Sequence, residues 1–118
     1  MKETETEAKR RKAMAKAPIQ AALEASGIYT AYYEVRSDRE APYITWRGNG
    51  QDNFAADDMY ISLGNTYIAE YAFLEKNEAA EASIETALIN NGFRYRKSQD
   101  YRDDDTGEYY IEYDIHKV

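Results

Sequence analysis

The chain has no cysteine, one histidine, one tryptophan and two prolines. Without cysteine there is no disulfide, no thiolate metal site and no cysteine nucleophile. The single histidine, His116, is third from the end, and no serine lies in a nucleophile-elbow sequence. General acid–base work would fall to carboxylates, and pairs such as Asp57-Asp58 are ordinary on solvated loops. Gly48-x-Gly50 lacks the third glycine and the following helix of a dinucleotide site. An enzyme is therefore not expected, and neither is a cofactor. No apolar run approaches the roughly 18 residues of a membrane span. The charged N-terminus lacks the apolar segment of a signal peptide, so a protein made and folded in a cytoplasm, with no membrane partner, is expected.

What is present fits one folded domain. The 118 residues suffice for a single core, and 43% hydrophobic with 31% charged residues is the balance of ordinary globular chains. Twelve tyrosines stand against three phenylalanines. Tyrosine packs its ring inward and keeps its hydroxyl wet, which suits contact surfaces, and it also fits a pleated sheet by propensity alone. The formal charge of −7 is uneven: residues 1–17 hold six bases and three acids, a net of +3, which leaves −10 on residues 18–118. An acidic body repels phosphate, so sequence-specific nucleic-acid binding by the folded part is not expected.

Residues 1–17 mix glutamate, lysine, arginine and alanine with little apolar surface to bury, and read as a charged, flexible extension that is helical when bound. Residues 18–118 read as one α+β domain. Pro18 opens a helix with Ile19, Ala22 and Leu23 on one stripe, stopped by Gly27. Ile28–Val35 reads as a strand covered on both faces, and Pro42 starts a second, Tyr43–Arg47. Met59–Leu63 and Thr66–Leu74 flank Gly64-Asn65 as a hairpin, with Tyr67, Ala69, Tyr71 and Phe73 sharing one face. Asn77 caps a helix over residues 78–91 whose stripe is Ala80, Ile84, Ala87 and Leu88. Residues 93–101 and 108–115 form a closing hairpin around Asp103–Gly107. In its last strand Tyr109, Ile111, Tyr113 and Ile115 alternate with Tyr110, Glu112 and Asp114, which implies one wet face. The expected order is α-β-β-β-β-α-β-β, a mostly antiparallel sheet with a helix packed on one face.

Two charge clusters invite a functional reading. Asp100, Asp103, Asp104, Asp105 and Glu108 lack the glycine and glutamate spacing of a calcium loop and read as a solvated hairpin tip. Lys9-Arg10-Arg11-Lys12 can meet an acidic protein or phosphate, or keep the extension solvated; phosphate contacts would position without specifying sequence.

Three patterns resemble a family. Pro42-Tyr43-Ile44-Thr45-Trp46 is followed by Asn53-Phe54-Ala55-Ala56-Asp57-Asp58-Met59-Tyr60; Tyr67-Ile68-Ala69-Glu70-Tyr71 leads into an acid-rich helix; Gly92-Phe93-Arg94-Tyr95 and Tyr101 precede a tyrosine-rich closing strand. In this order, over roughly residues 18–116, they resemble the tail terminator, or tail-completion, proteins of long-tailed phages. The basic extension lies outside the resemblance. The resemblance implies a structural subunit of the virion tail or neck that forms a homo-oligomeric ring, usually a hexamer. Such a ring caps the tail tube protein and offers a surface to the head connector or completion protein. A ring needs two different patches per subunit. Arg10, Arg11 and Lys12 reaching across a joint, with Tyr43, Trp46, Asn53 and Phe54 as contacts, are the interface residues this reading selects. A head-completion protein of the same particle, a small acidic adaptor or inhibitor of a host protein, and a carboxylate-based enzyme or small-ligand domain are the competing readings.

Overall fold

The computed structural model describes residues 17–36, 38–49 and 66–118. The basic run Lys9–Lys12, the strand expected at Met59–Leu63 and the site residues Asn53 and Phe54 lie outside them. In chain order the described elements are α1 (Pro18–Glu24), β1 (Thr30–Tyr32), β2 (Tyr43–Gly48), β3 (Thr66–Phe73), α2 (Glu78–Asn90), β4 (Phe93–Lys97), β5 (Tyr101–Arg102) and β6 (Tyr109–Lys117). The fold is α+β.

The strands form one sheet in the order β1-β2-β3-β6-β4, with β5 pairing β6 beyond the end of β4. Antiparallel ladders join β2 to β3, β3 to β6, and β4 and β5 to β6. β1 runs parallel to β2, so the sheet is mixed. β3 is central, with β2 on one edge and β6 on the other.

Period-two alternation decides which side faces the core. On β3 the buried residues Ala69, Tyr71 and Phe73 stand opposite Tyr113, Ile111 and half-buried Tyr109 of β6. Against that side pack Ile19, Ala22 and Leu23 of α1 and Ile84 and Leu88 of α2, so both helices lie on one face of the sheet. Each methylene taken from water there contributes about 0.8 kcal/mol. α1 begins at Pro18, whose missing N–H costs nothing in the first turn. α2 is capped by Asn77, whose side chain accepts from the Ala80 amide at 3.1 Å. Gly27 and Gly92, both at φ 85°, turn the chain out of the two helices in the left-handed region.

Two strands differ from their sequence reading. The strand expected over residues 28–35 is paired only at Thr30–Tyr32 and is not covered on both faces. It ends because Tyr33 adopts φ 72°, a left-handed conformation that breaks the extended run and leaves its ring 64% exposed. The strand expected over residues 93–101 is split at Ser98. There the Ser98 hydroxyl accepts the Glu112 amide at 2.9 Å and the Ser98 amide donates to the Glu112 carbonyl at 2.9 Å, so the edge is interrupted before β5 resumes.

Candidate functional site

With both helices on one side, the other side of the sheet is paved by the alternate residues of each strand. The ladder registers set them in rows: Tyr43–Ala72–Tyr110–Tyr101, then Thr45–Glu70–Glu112, then Arg47–Ile68–Asp114–Arg96. The first row is a band of phenols. The rings of Tyr101 and Tyr110 stack with centroids 5.6 Å apart, and the rings of Tyr43 and Tyr110 flank the small Ala72, which is fully buried beneath them.

Carboxylates anchor this band. The Tyr110 hydroxyl donates to Glu108 Oε1 at 2.7 Å and the Tyr43 hydroxyl donates to the same oxygen at 3.3 Å, while the Tyr101 hydroxyl donates to Glu70 Oε2 at 3.0 Å. Burial and the neighbouring carboxylates disfavour phenolate, so Tyr43 and Tyr110 are raised above the ordinary phenol value, and burial with Glu70 pushes Tyr101 up to about 12. The phenols therefore remain hydroxyl donors throughout the neutral range. Glu70 stands directly opposite Glu112, a like-charge cross-strand pair of the kind that destabilises a sheet.

Beside the band lies a shallow depression walled by Tyr33, Tyr43, Tyr101 and Tyr110, with Glu34, Glu70, Asp103 and Arg102 at its rim. Arg102 is already held by Asp104 at 2.7 Å. Aromatic faces and carboxylates together suit recognition of a cationic or hydrogen-bonding protein surface.

A second charged cluster sits on the helical side. Glu81, its side chain 4% exposed, meets Lys97 Nζ at 2.9 Å and Lys76 Nζ at 2.7 Å. Lys97 also meets Glu85 at 2.8 Å, and Glu85 accepts from the hydroxyls of Tyr113 at 2.8 Å and Tyr95 at 3.2 Å. Burial opposes ionisation of Glu85, but Lys97 and the two phenols outweigh it and hold the carboxyl below its usual range. Burial likewise works against the charge on Lys97, and Glu85 and Glu81 raise it above the usual lysine value. This cluster ties α2 to β4 and β6 and is a brace.

Of the residues selected from sequence, Tyr43 lies in the phenol band. Trp46 does not serve as a surface anchor: it is 3% exposed on the helical side of the sheet, and its indole N–H donates to Gln20 Oε1. The alternation that exposes Tyr43 buries Trp46, three positions along the same strand. Arg10, Arg11, Lys12, Asn53 and Phe54 lie outside the described residues.

The acidic hairpin tip is dispersed: Asp100 pairs with Lys76, Asp104 with Arg102, Asp103 accepts the Asp105 amide, and Glu108 takes two phenols. Among the described residues no group of three or more histidines, cysteines or acids is placed to hold a metal ion, and no helix is long and apolar enough to cross a membrane. The cluster formed by Glu70, Glu108, Tyr101 and Tyr110 was not singled out from sequence. Its signal was the wet half of the β6 alternation, Tyr110 and Glu112, whose neighbours only the strand order supplies. Comparison of the chain with protein-family models, curated proteins and solved structures found no match.

Proposed function

We propose that this chain is a binding and assembly subunit whose working surface is the side of its sheet opposite the two described helices. The observation that carries the reading is the phenol band itself. Tyr43, Tyr101 and Tyr110 share one row, each hydroxyl is anchored by a carboxylate, and both helices pack on the opposite side. A flat sheet surface rich in tyrosine is a good protein contact, because each ring brings large area with few rotatable bonds.

Within that class, the resemblance of residues 42–60, 67–71 and 92–115 to tail terminator proteins favours a subunit of a phage tail or neck. It would form a ring that caps the tail tube and meets the head connector. The −10 charge of residues 18–118 and the +3 of residues 1–17 supply the two unlike patches that a closed ring requires.

The test is light scattering after size exclusion, of the protein alone and mixed with tail-tube protein, with negative-stain images of any large species. Rings or capped tube ends support the reading. A stable monomer that leaves tube ends growing removes it, and a one-to-one complex with a host protein would replace it with the adaptor reading.

A further inference from the structure

We infer that the depression beside the phenol band receives the basic run Lys9-Arg10-Arg11-Lys12 of a second copy of the chain. The inference rests on the assembly reading of the same surface and names its partner.

Charge complementarity selects the occupant. The rim of the depression carries Glu34, Glu70 and Asp103, and its one cation among the described residues, Arg102, is already paired with Asp104. Glu112 adds a further carboxylate directly opposite Glu70. A cation set between these two acids relieves their repulsion. The chain holds its densest positive charge at Lys9–Lys12, in the part with net +3.

Ring chemistry selects arginine. A guanidinium stacks on a phenol face while its edge donates to a carboxylate, and the depression offers both at Tyr101, Tyr110 and Glu70. A guanidinium over a phenol face occurs elsewhere in this protein, where Arg39 lies 3.8 Å over the Tyr29 ring.

On the assembly reading of this surface the donor is a second copy. Ala17 packs into the core on the helical side of the sheet, and the depression is on the other side. Four residues lie between Lys12 and Ala17, and the five steps from one to the other span at most about 17 Å.

The test uses the full chain in two variants, R10E/R11E/K12E and E70K/E112K, examined by sedimentation equilibrium. Wild type associates at about 0.05 M salt and dissociates toward 0.5 M as screening shortens the reach of the charges. Each variant alone associates at least about tenfold more weakly. The equimolar mixture recovers a one-to-one complex, because one partner keeps the basic run and the other keeps the acidic depression. Circular dichroism shows whether each variant folds, and the milder E70Q and Y101F variants should weaken association in the same direction if a reversal disturbs the sheet.

Variants that associate like wild type overturn the inference, as does a mixture of folded variants that stays monomeric, the result of a contact within one chain. A synthetic peptide of residues 1–16 titrated onto the R10E/R11E/K12E protein separates this inference from the tail reading. Saturable, salt-sensitive binding that E70K/E112K abolishes, together with association recovered in the mixture, upholds the inference even where tube ends stay uncapped. Capped tubes without peptide binding uphold the tail reading and overturn the inference.

Discussion

Replacing Lys97 by methionine should destabilise the protein far more than replacing Glu81 by methionine, although the two side chains form one ion pair. Lys97 is the cation shared by Glu81 and Glu85. Its loss leaves the 4%-exposed Glu81 with Lys76 alone, and Lys76 is itself shared with Asp100. Glu85 would keep only the hydroxyls of Tyr113 and Tyr95. Removing one partner of a fully buried pair costs about 3–5 kcal/mol; here the lysine is about one-third exposed and one cation remains, so the expected loss is about 2–3 kcal/mol.

Glu81→Met reverses the situation. Lys97 keeps Glu85 and Lys76 keeps Asp100, no buried charge is stranded, and a well-packed apolar side chain in place of a buried ion is often neutral or stabilising. The expected change lies within about 1 kcal/mol of zero. The assay is urea unfolding followed by the fluorescence of Trp46, the single tryptophan, buried in the core. With a slope of roughly 1–3 kcal/mol/M the midpoint of Lys97→Met should fall by about 0.7–3 M, with the slope itself unchanged. Equal losses in the two variants, or a Lys97→Met midpoint indistinguishable from wild type, would refute the account of the brace.

Three further outcomes follow from single contacts. Glu85 is held below its usual range, so its contribution is present above the unfolded carboxylate value of about 4.5 and is lost as pH falls through the lower folded value; an acid titration of the unfolding midpoint should lose this dependence in Glu85→Gln. The phenols behave in the opposite sense. Their folded values are raised, to about 12 at Tyr101, so their contribution is complete below pH 10 and disappears as pH rises from there through the folded values. Ultraviolet titration should find tyrosines still protonated at about pH 11, and full ionisation of all twelve near pH 10 in the folded protein would contradict the phenol band. Gln20 is 5% exposed and bridges the Trp46 indole N–H to the Thr30 carbonyl. Gln20→Ala strands both groups and should cost about 1–3 kcal/mol in the same urea assay; a change below about 0.5 kcal/mol would show that water replaces the bridge.

Some of this protein is legible one element at a time. The apolar stripes of α1 and α2, the Asn77 cap, the core-facing half of β3 and the strict alternation of β6 all follow from local periodicity, because a side chain's direction is set by its position along its own helix or strand. The same rule could have excluded Trp46 as an anchor, since it shares a face with Ile44 rather than with Tyr43. Sequence also makes plain the unequal charge of the first 17 residues and the remainder, and the absence of thiol chemistry.

What only the tertiary structure decided is adjacency. Glu70 and Glu112 lie 42 positions apart yet face each other, and Tyr43 reaches Glu108 across 65 positions, because β6 inserts between β3 and β4 and carries its wet face alongside theirs. The parallel pairing of β1, its early end at Tyr33 and the burial of Glu81 between two lysines likewise depend on neighbours distant in the chain. Local periodicity dictates which way each side chain points; what it meets there is set by strand order, to which the spacing of residues along one strand is blind.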